Sequence, residues 1–231
     1  MDAVLRIAEK TSGRDKLCRL VQYGSKTLSW CLELEGASAE LVSKLKALEV
    51  SISTARKLFR LGMSIDSLRS ALQTIHLASP VLRVLVTLMR VCRGLYLLID
   101  HLLWASRMRL VSIDERFWSR LSNRFWLAAI FLSLMRDLYE FLVALRHQRN
   151  RLNQYGSSST PVTPRAVVGG VLQTHPALVV DTVKNMTDFW IPASRLDLVY
   201  LPSGIVGLVG VVSSLAGLLG SHDQKWRLRF S

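Results

Sequence analysis

Residues 198 to 221, LVYLPSGIVGLVGVVSSLAGLLGS, run for 24 positions without a charged side chain. Wound as a helix at 1.5 Å per residue, such a run is about 36 Å long and covers the ~30 Å hydrocarbon core of a bilayer. It therefore needs apolar surroundings along its whole length, either lipid or the centre of a helical bundle. Small residues recur every third position at Gly204, Gly207, Gly210, Ser213 and Ala216, and Ser213, Gly217 and Ser221 repeat at four. Gly204, Gly207, Gly210, Ser213 and Gly217 are thus the expected packing residues of an anchor helix, because small side chains let a second helix approach closely. Lys225, Arg227 and Arg229 follow the run, which by the positive-inside tendency puts that tail in the cytosol.

The rest of the chain is both apolar and cationic. Half of its 231 residues are hydrophobic and the net charge is +13, with a mean hydropathy of +0.27 and a pI near 10.3. Soluble nucleic-acid-binding domains rarely combine the two, so the expected partner of the charge is an anionic membrane surface and not nucleic acid. Lys and Arg exceed Asp and Glu by 12 to 8 over residues 1–75, by 12 to 5 over 76–155 and by 6 to 4 over 156–231. Charge spread in this way belongs to helix faces, not to a basic tail.

Catalytic and ligand-binding motifs are missing. Cys18, Cys31 and Cys92 are odd in number and lack CxxC spacing, and the five histidines are scattered. Neither a disulfide framework nor a metal centre is expected, and a reducing compartment suits the thiols. HExxH, GxSxG, GxxxxGK[ST] and GxGxxG do not occur. The expectation is a protein that is not an enzyme and needs no cofactor.

Helical periodicity runs almost throughout, which predicts an all-α fold: a membrane-associated bundle of amphipathic helices with a C-terminal transmembrane helix. Its parts are an N-terminal amphipathic region (1–110), a long hydrophobic helix (111–153), a polar linker (154–164) and a C-terminal region (165–231) with its anchor at about 198–221. In the first helix Leu17, Leu20, Val21, Gly24, Leu28, Cys31 and Leu32 share a face opposite Arg19, Gln22, Lys26, Ser29 and Glu33. That stripe suits either a protein core or lipid. Gly36 ends the helix, and a second one runs from about Ser38 into STARKLFRLG. There Ile52, Ala55, Leu58, Phe59 and Gly62 oppose Arg56, Lys57 and Arg60, with Leu61 at the edge of the apolar face. This basic face suits either solvent or a membrane surface. Gly62 predicts a break, with Ser64 as the cap of the next helix.

Two further stretches are apolar but interrupted. Within 81–104, Arg83, Thr87, Arg90, Gly94 and His101 form one polar stripe; arginine in hydrocarbon costs ~2.5 to 3.5 kcal/mol on insertion scales, which favours an interfacial or packed helix. Residues 125–145 have spanning length but place Arg136, Asp137 and Glu140 on one side, an intramembrane polar cluster facing inward. Pairing of Arg90 or Arg93 with Asp137 or Glu140 would offset both sets of charges. Ser112 and Glu115 read as a capping box for the long helix.

Four collinear segments carry a resemblance: SGRDKLCRLVQYGSKTLSW (12–30), ARKLFRLG (55–62), NRFWLAAIFLSLMRDLYE (123–140) and GIVGLVGVVSSLAGL (204–218). Together they closely resemble the peroxin-11 family of peroxisomal membrane-shaping proteins, in order over essentially the whole chain. The resemblance implies a peroxisomal membrane protein with both termini in the cytosol, whose amphipathic helices enter the cytosolic leaflet and elongate the organelle before fission. It implies self-association, and partnership with a dynamin-related GTPase and a tail-anchored fission adaptor. By the same resemblance Arg56, Lys57 and Arg60 contact lipid headgroups and Leu58, Phe59 and Leu61 sit at or beside the wedge, to which periodicity adds Ile52. Two cytosolic termini require an even number of spans, with 125–145 preferred over 81–104 as partner of the anchor. A channel for small metabolites is the alternative reading, motivated by the two polar stripes.

Overall fold

The structure is a computed structural model and describes residues 11–155 and 163–222. All regular structure among the described residues is helical: α1 (Thr11–Leu34), α2 (Ala39–Phe59), α3 (Met63–Thr74), α4 (Pro80–Arg107), α5 (Glu115–Tyr155), α6 (Pro164–Thr174), α7 (Pro176–Arg195) and α8 (Ser203–His222). Most of the linker expected at 154–164, and the basic tail with Lys225, Arg227 and Arg229, lie outside the described residues.

Local chemistry sets most of the boundaries. Pro80, Pro164 and Pro176 each open a helix, where a missing N–H costs nothing and φ is already helical. Gly36 takes φ +71° after α1 and Gly62 takes φ +86° before α3, a left-handed conformation that glycine adopts without a Cβ penalty. Two helix starts correct the sequence reading. Gly62, not Ser64, precedes the first residue of α3. The cap of α5 is Asp114, whose Oδ1 accepts from the backbone N–H of Arg116 (3.0 Å) and Phe117 (3.2 Å), so Ser112 is not the capping residue. Pro192 is buried inside α7.

Six helices close a ring. Each packs on the next in the order α1, α2, α4, α5, α7, α8, and α8 returns to α1; α3 lies against α4, and α6 braces α5 and α7. The polar stripe of α4 is aimed at its neighbours: Thr87 Oγ1 and Thr74 Oγ1 of α3 are 3.0 Å apart, Arg90 Nη1 donates to the Ser70 carbonyl, and His101 Nε2 meets the Arg60 carbonyl at 3.0 Å. Gly94 admits α3 here, since a Cβ at this position would lie 2.7 Å from Leu68.

The interior of the ring is half polar, and its outside carries many apolar side chains. Among the described residues, as many polar or charged side chains are buried as hydrophobic ones, 17 of each. The first helix shows the inversion: Gln22, Ser25 and Ser29 are buried, whereas Val21 and Leu28 of its apolar stripe are half exposed. Outward apolar side chains recur on every helix, including Leu58, Leu61, Ile65, Leu72, Leu138 and Leu142. Exposed apolar side chains in such number suit apolar surroundings better than water.

By length and composition, Ser203–Gly220 in α8 can cross a membrane, and α6 with α7, bent by 90°, can together make one broken span. Neither 81–104 nor 125–145 meets that test among the described residues, so the second span expected at 125–145 is not found there.

Candidate functional site

The ring surrounds a partly open cavity of about 1480 Å³, lined about equally by polar and apolar surface from α1, α2, α3, α4, α5, α7 and α8. Three ion-pair groups stand on its wall. In the first, α2 inserts its basic face between α1 and α4. Arg56 and Lys57 are buried; Arg56 Nε pairs with Asp15 Oδ1 at 3.0 Å, and Arg56 Nη1 donates to Gln22 Oε1 at 2.7 Å. Lys57 Nζ and Arg60 Nη2 clasp the two oxygens of Asp100 at 2.9 and 2.7 Å, and Arg60 Nη1 donates to the Tyr96 hydroxyl at 2.6 Å. The three cations expected at lipid headgroups therefore point into the protein, because α1 and α4 hold acids where the helix wheel of α2 alone suggests solvent. Burial pushes the Asp15 carboxyl up, but Arg56 and Arg60 beside it more than compensate and hold it below the usual carboxylate range.

The second group ties α5 to α7. Arg136 pairs with Asp137 and with Asp181, Asn185 Nδ2 donates to Asp137 Oδ2 at 2.8 Å, and Lys184 Nζ meets Asp181 Oδ1 at 2.9 Å. Arg136 and Asp137 are buried, while Glu140, one turn on, is half-buried and outside these ion pairs. The third group joins α1, α7 and α8: Arg19 pairs with Asp188, Asp188 accepts from the Ser213 hydroxyl, and Lys16 Nζ donates to the Gly217 carbonyl at 2.9 Å. Asp15, Arg19, Asp100, Asp181 and Asp188 complete these networks, and the sequence pattern picks out none of them as a site residue. Asp100, Asp181 and Asp188 stand in largely apolar stretches of α4 and α7, which is a signal in the sequence, whereas Asp15 and Arg19 lie among the other charges of GRDKLCR and carry none.

Beside the third group, α8 touches α1 through its glycines. A Cβ on Gly204 would overlap Trp30, one on Gly210 would overlap Tyr23, and one on Gly207 would meet the backbone nitrogen of Thr27 at 2.9 Å. The small-residue stripe thus faces a helix nearly 180 residues earlier in the chain. Of the wedge residues, Leu58 and Leu61 are exposed, 44% and 50%, and Ile52 and Phe59 are half-buried. On α3, beyond the break at Gly62, Ile65 (68%) and Leu72 (67%) are exposed too.

A bundle with ion pairs inside, hydrocarbon outside and an uncharged anchor helix is a helical membrane protein. The chain belongs to the peroxisomal biogenesis factor 11 (PEX11) family, whose sequence model matches residues 1–221. Peroxisomal membrane protein 11B of Homo sapiens is 34% identical over 248 residues, covering 95% of this chain and 96% of that protein. Peroxisomal membrane protein 11A of Mus musculus is 37% identical over 236 residues, covering 95% of each. Peroxisomal membrane protein 11 homolog of Dictyostelium discoideum is 22% identical, covering 94% of this chain and 92% of that protein. No solved structure matches the chain. It is accordingly a peroxisomal membrane protein of a biogenesis family, with an all-helical fold.

Proposed function

We propose that the chain elongates the peroxisomal membrane ahead of fission by inserting the apolar rim of α2 and α3 into the cytosolic leaflet, without catalysing a reaction. The supporting observation is the outward run Leu58, Leu61, Ile65, Leu72 and Ile75, each 44 to 68% exposed. Burying a whole side chain of this size is worth about 1.5 to 3 kcal/mol. With half of each still to bury, the five contribute about 5 kcal/mol toward lipid. A helix pair seated at the headgroup boundary widens one leaflet and favours positive curvature. Exposed cations such as Arg69 and Arg83 add attraction to anionic lipid, about 1 kcal/mol each near the surface.

In this reading α8 is the anchor and α6–α7 supplies the second crossing, which leaves both termini in the cytosol. Self-association concentrates the wedge, and a dynamin-related GTPase with its tail-anchored adaptor acts on the narrowed membrane. The test uses the full-length chain in anionic vesicles viewed by electron microscopy. The native chain tubulates them, and Leu61→Glu with Ile65→Glu abolishes tubulation while leaving α8 inserted; tubules of equal number with the double variant would remove the basis of the proposal.

A second reading, a channel for small metabolites, is favoured by one observation: the ring of helices surrounds a cavity of about 1480 Å³ whose lining includes thirteen Lys and Arg. It requires conductance in planar bilayers that changes with Arg136→Ala or Glu140→Ala. Electrically silent bilayers dispose of it.

A further inference from the structure

The charge inside the ring is unbalanced. Thirteen Lys and Arg line the cavity against six Asp and Glu. Four of those acids are already committed: Asp15 to Arg56, Asp100 to Lys57 and Arg60, Asp181 to Arg136 and Lys184, and Asp188 to Arg19. Among the described residues the side chains of Arg93 and Arg116, both exposed, make no hydrogen bond or ion pair, and both line the cavity, where their charge meets its water. Arg90 and Arg93 of α4 and Arg136 of α5 line the same cavity, and burial, with Arg136 and Arg93 nearby, disfavours the charged form of Arg90. The Arg19 Nε–H, buried on the same wall, has no hydrogen-bond acceptor.

Convergent cations with low-dielectric walls behind them concentrate anions. From this geometry we infer that the interior of the ring is a binding site for small organic anions carrying two or more negative charges, of the carboxylate or phosphate-ester class. Separated guanidiniums reward a ligand that reaches several of them at once, and arginine's planar fork matches both carboxylate and phosphate oxygens. The volume decides how the ligand is held. Ordinary small-molecule pockets measure about 300 to 1,000 Å³, and at ~30 Å³ per water this cavity has room for on the order of fifty waters. The anion therefore stays hydrated, and charge number outweighs shape in selecting it. Binding of this kind does not require the ring to conduct.

Thermal unfolding of the full-length chain in neutral maltoside detergent, which supplies no lipid phosphate, tests it with citrate and pyrophosphate at constant ionic strength. Both anions raise the midpoint, while acetate and spermine at matched ionic strength do not. A response to only one of them supports the site and assigns it to that class. Arg93→Gln combined with Arg116→Gln, which breaks no internal pair, raises the half-saturating concentration by about threefold or more, and Arg69→Gln, outside the cavity, leaves it unchanged. Stabilisation equalled by sodium chloride, or identical in the double variant and the native chain, overturns the inference. Retained citrate binding with silent bilayers would refute the channel alone.

Discussion

Asp100→Asn separates two incompatible roles for the basic face of α2. Asp100 is 5% exposed and holds Lys57 at 2.9 Å and Arg60 at 2.7 Å. Asparagine keeps the shape and removes the charge, so two cations on the cavity wall lose their shared counter-ion. Breaking a buried ion pair from one side costs about 3 to 5 kcal/mol. Arg60 keeps the Tyr96 hydroxyl at 2.6 Å and a more distant Asp15 at 3.6 Å, and water in the cavity relaxes the rest, which places the loss near the lower end, about 3 kcal/mol. In a chain of this size 1 kcal/mol moves the midpoint by about 2 to 4 °C, so a fall of about 6 to 12 °C is expected.

Tryptophan fluorescence of the full-length chain in detergent reads that midpoint. Adding Lys57→Met to Asp100→Asn recovers part of the loss, because one of the two orphaned cations is removed; independent sites would give no recovery. If Arg56, Lys57 and Arg60 instead hold lipid phosphate, the pattern reverses. Asp100→Asn then leaves the midpoint where it was, while replacing the three cations by glutamine weakens binding to anionic vesicles without destabilising the fold. That result would refute the packing of the basic face of α2 against α1 and α4.

Two further outcomes follow from the same contacts. Gly207→Leu forces a Cβ against the Thr27 backbone, which cannot swing aside, and should cost about 1 to 3 kcal/mol or more; Gly169→Ala, helical and with nothing within 4 Å of its Cβ, should stabilise by about 0.5 to 1 kcal/mol, and midpoints moving in the same direction for both would contradict the α1–α8 contact. Asp15, held below the usual carboxylate range by Arg56 and Arg60 against the effect of burial, contributes stability that is complete above its unfolded pKa and is lost as pH falls through the folded value, below about pH 4. An acid titration of unfolding should therefore flatten in Asp15→Asn, and a slope unchanged by that substitution would show that the pair contributes nothing.

Helix limits were legible because they rest on local chemistry. Gly36 and Gly62 at positive φ, and Pro80, Pro164 and Pro176 at first helical positions, act within one turn of themselves. Pro192 departs from this pattern because tertiary packing holds α7 intact around it. The neighbours of each face were not legible. Arg136 meets Asp181 from 45 positions away, and Lys57 meets Asp100 from 43. Periodicity orders residues around one helix and carries no information about what a different helix brings to it. The glycine stripe of α8 was readable as a close-contact surface, since only small residues permit that spacing, but the choice of α1 as its partner was not.

The deeper ambiguity is one of sign. A helical wheel shows that a helix has two unlike faces and leaves open which solvent lies on each side. In water the apolar face must turn inward; in a bilayer lipid is as apolar as any core, and the polar face turns inward wherever it can find partners. The inward faces here meet that condition at small cost. Ser25, Ser133 and Ser214 are buried, yet each donates to a carbonyl one turn back in its own helix, those of Val21, Ala129 and Gly210, at 2.9, 2.8 and 2.6 Å. The charged residues cannot satisfy themselves in this way and need acids from other helices. Arg56, Lys57 and Arg60 are therefore the residues whose orientation inverts between the sequence and the structure, while the serines pass unnoticed. In a chain with an uncharged 24-residue run and strongly two-faced helices elsewhere, the count of acids available to meet buried bases becomes the deciding quantity. Here, among the described residues, three buried bases, Arg56, Lys57 and Arg136, stand with three buried acids, Asp100, Asp137 and Asp188, and each of those bases has an acid partner.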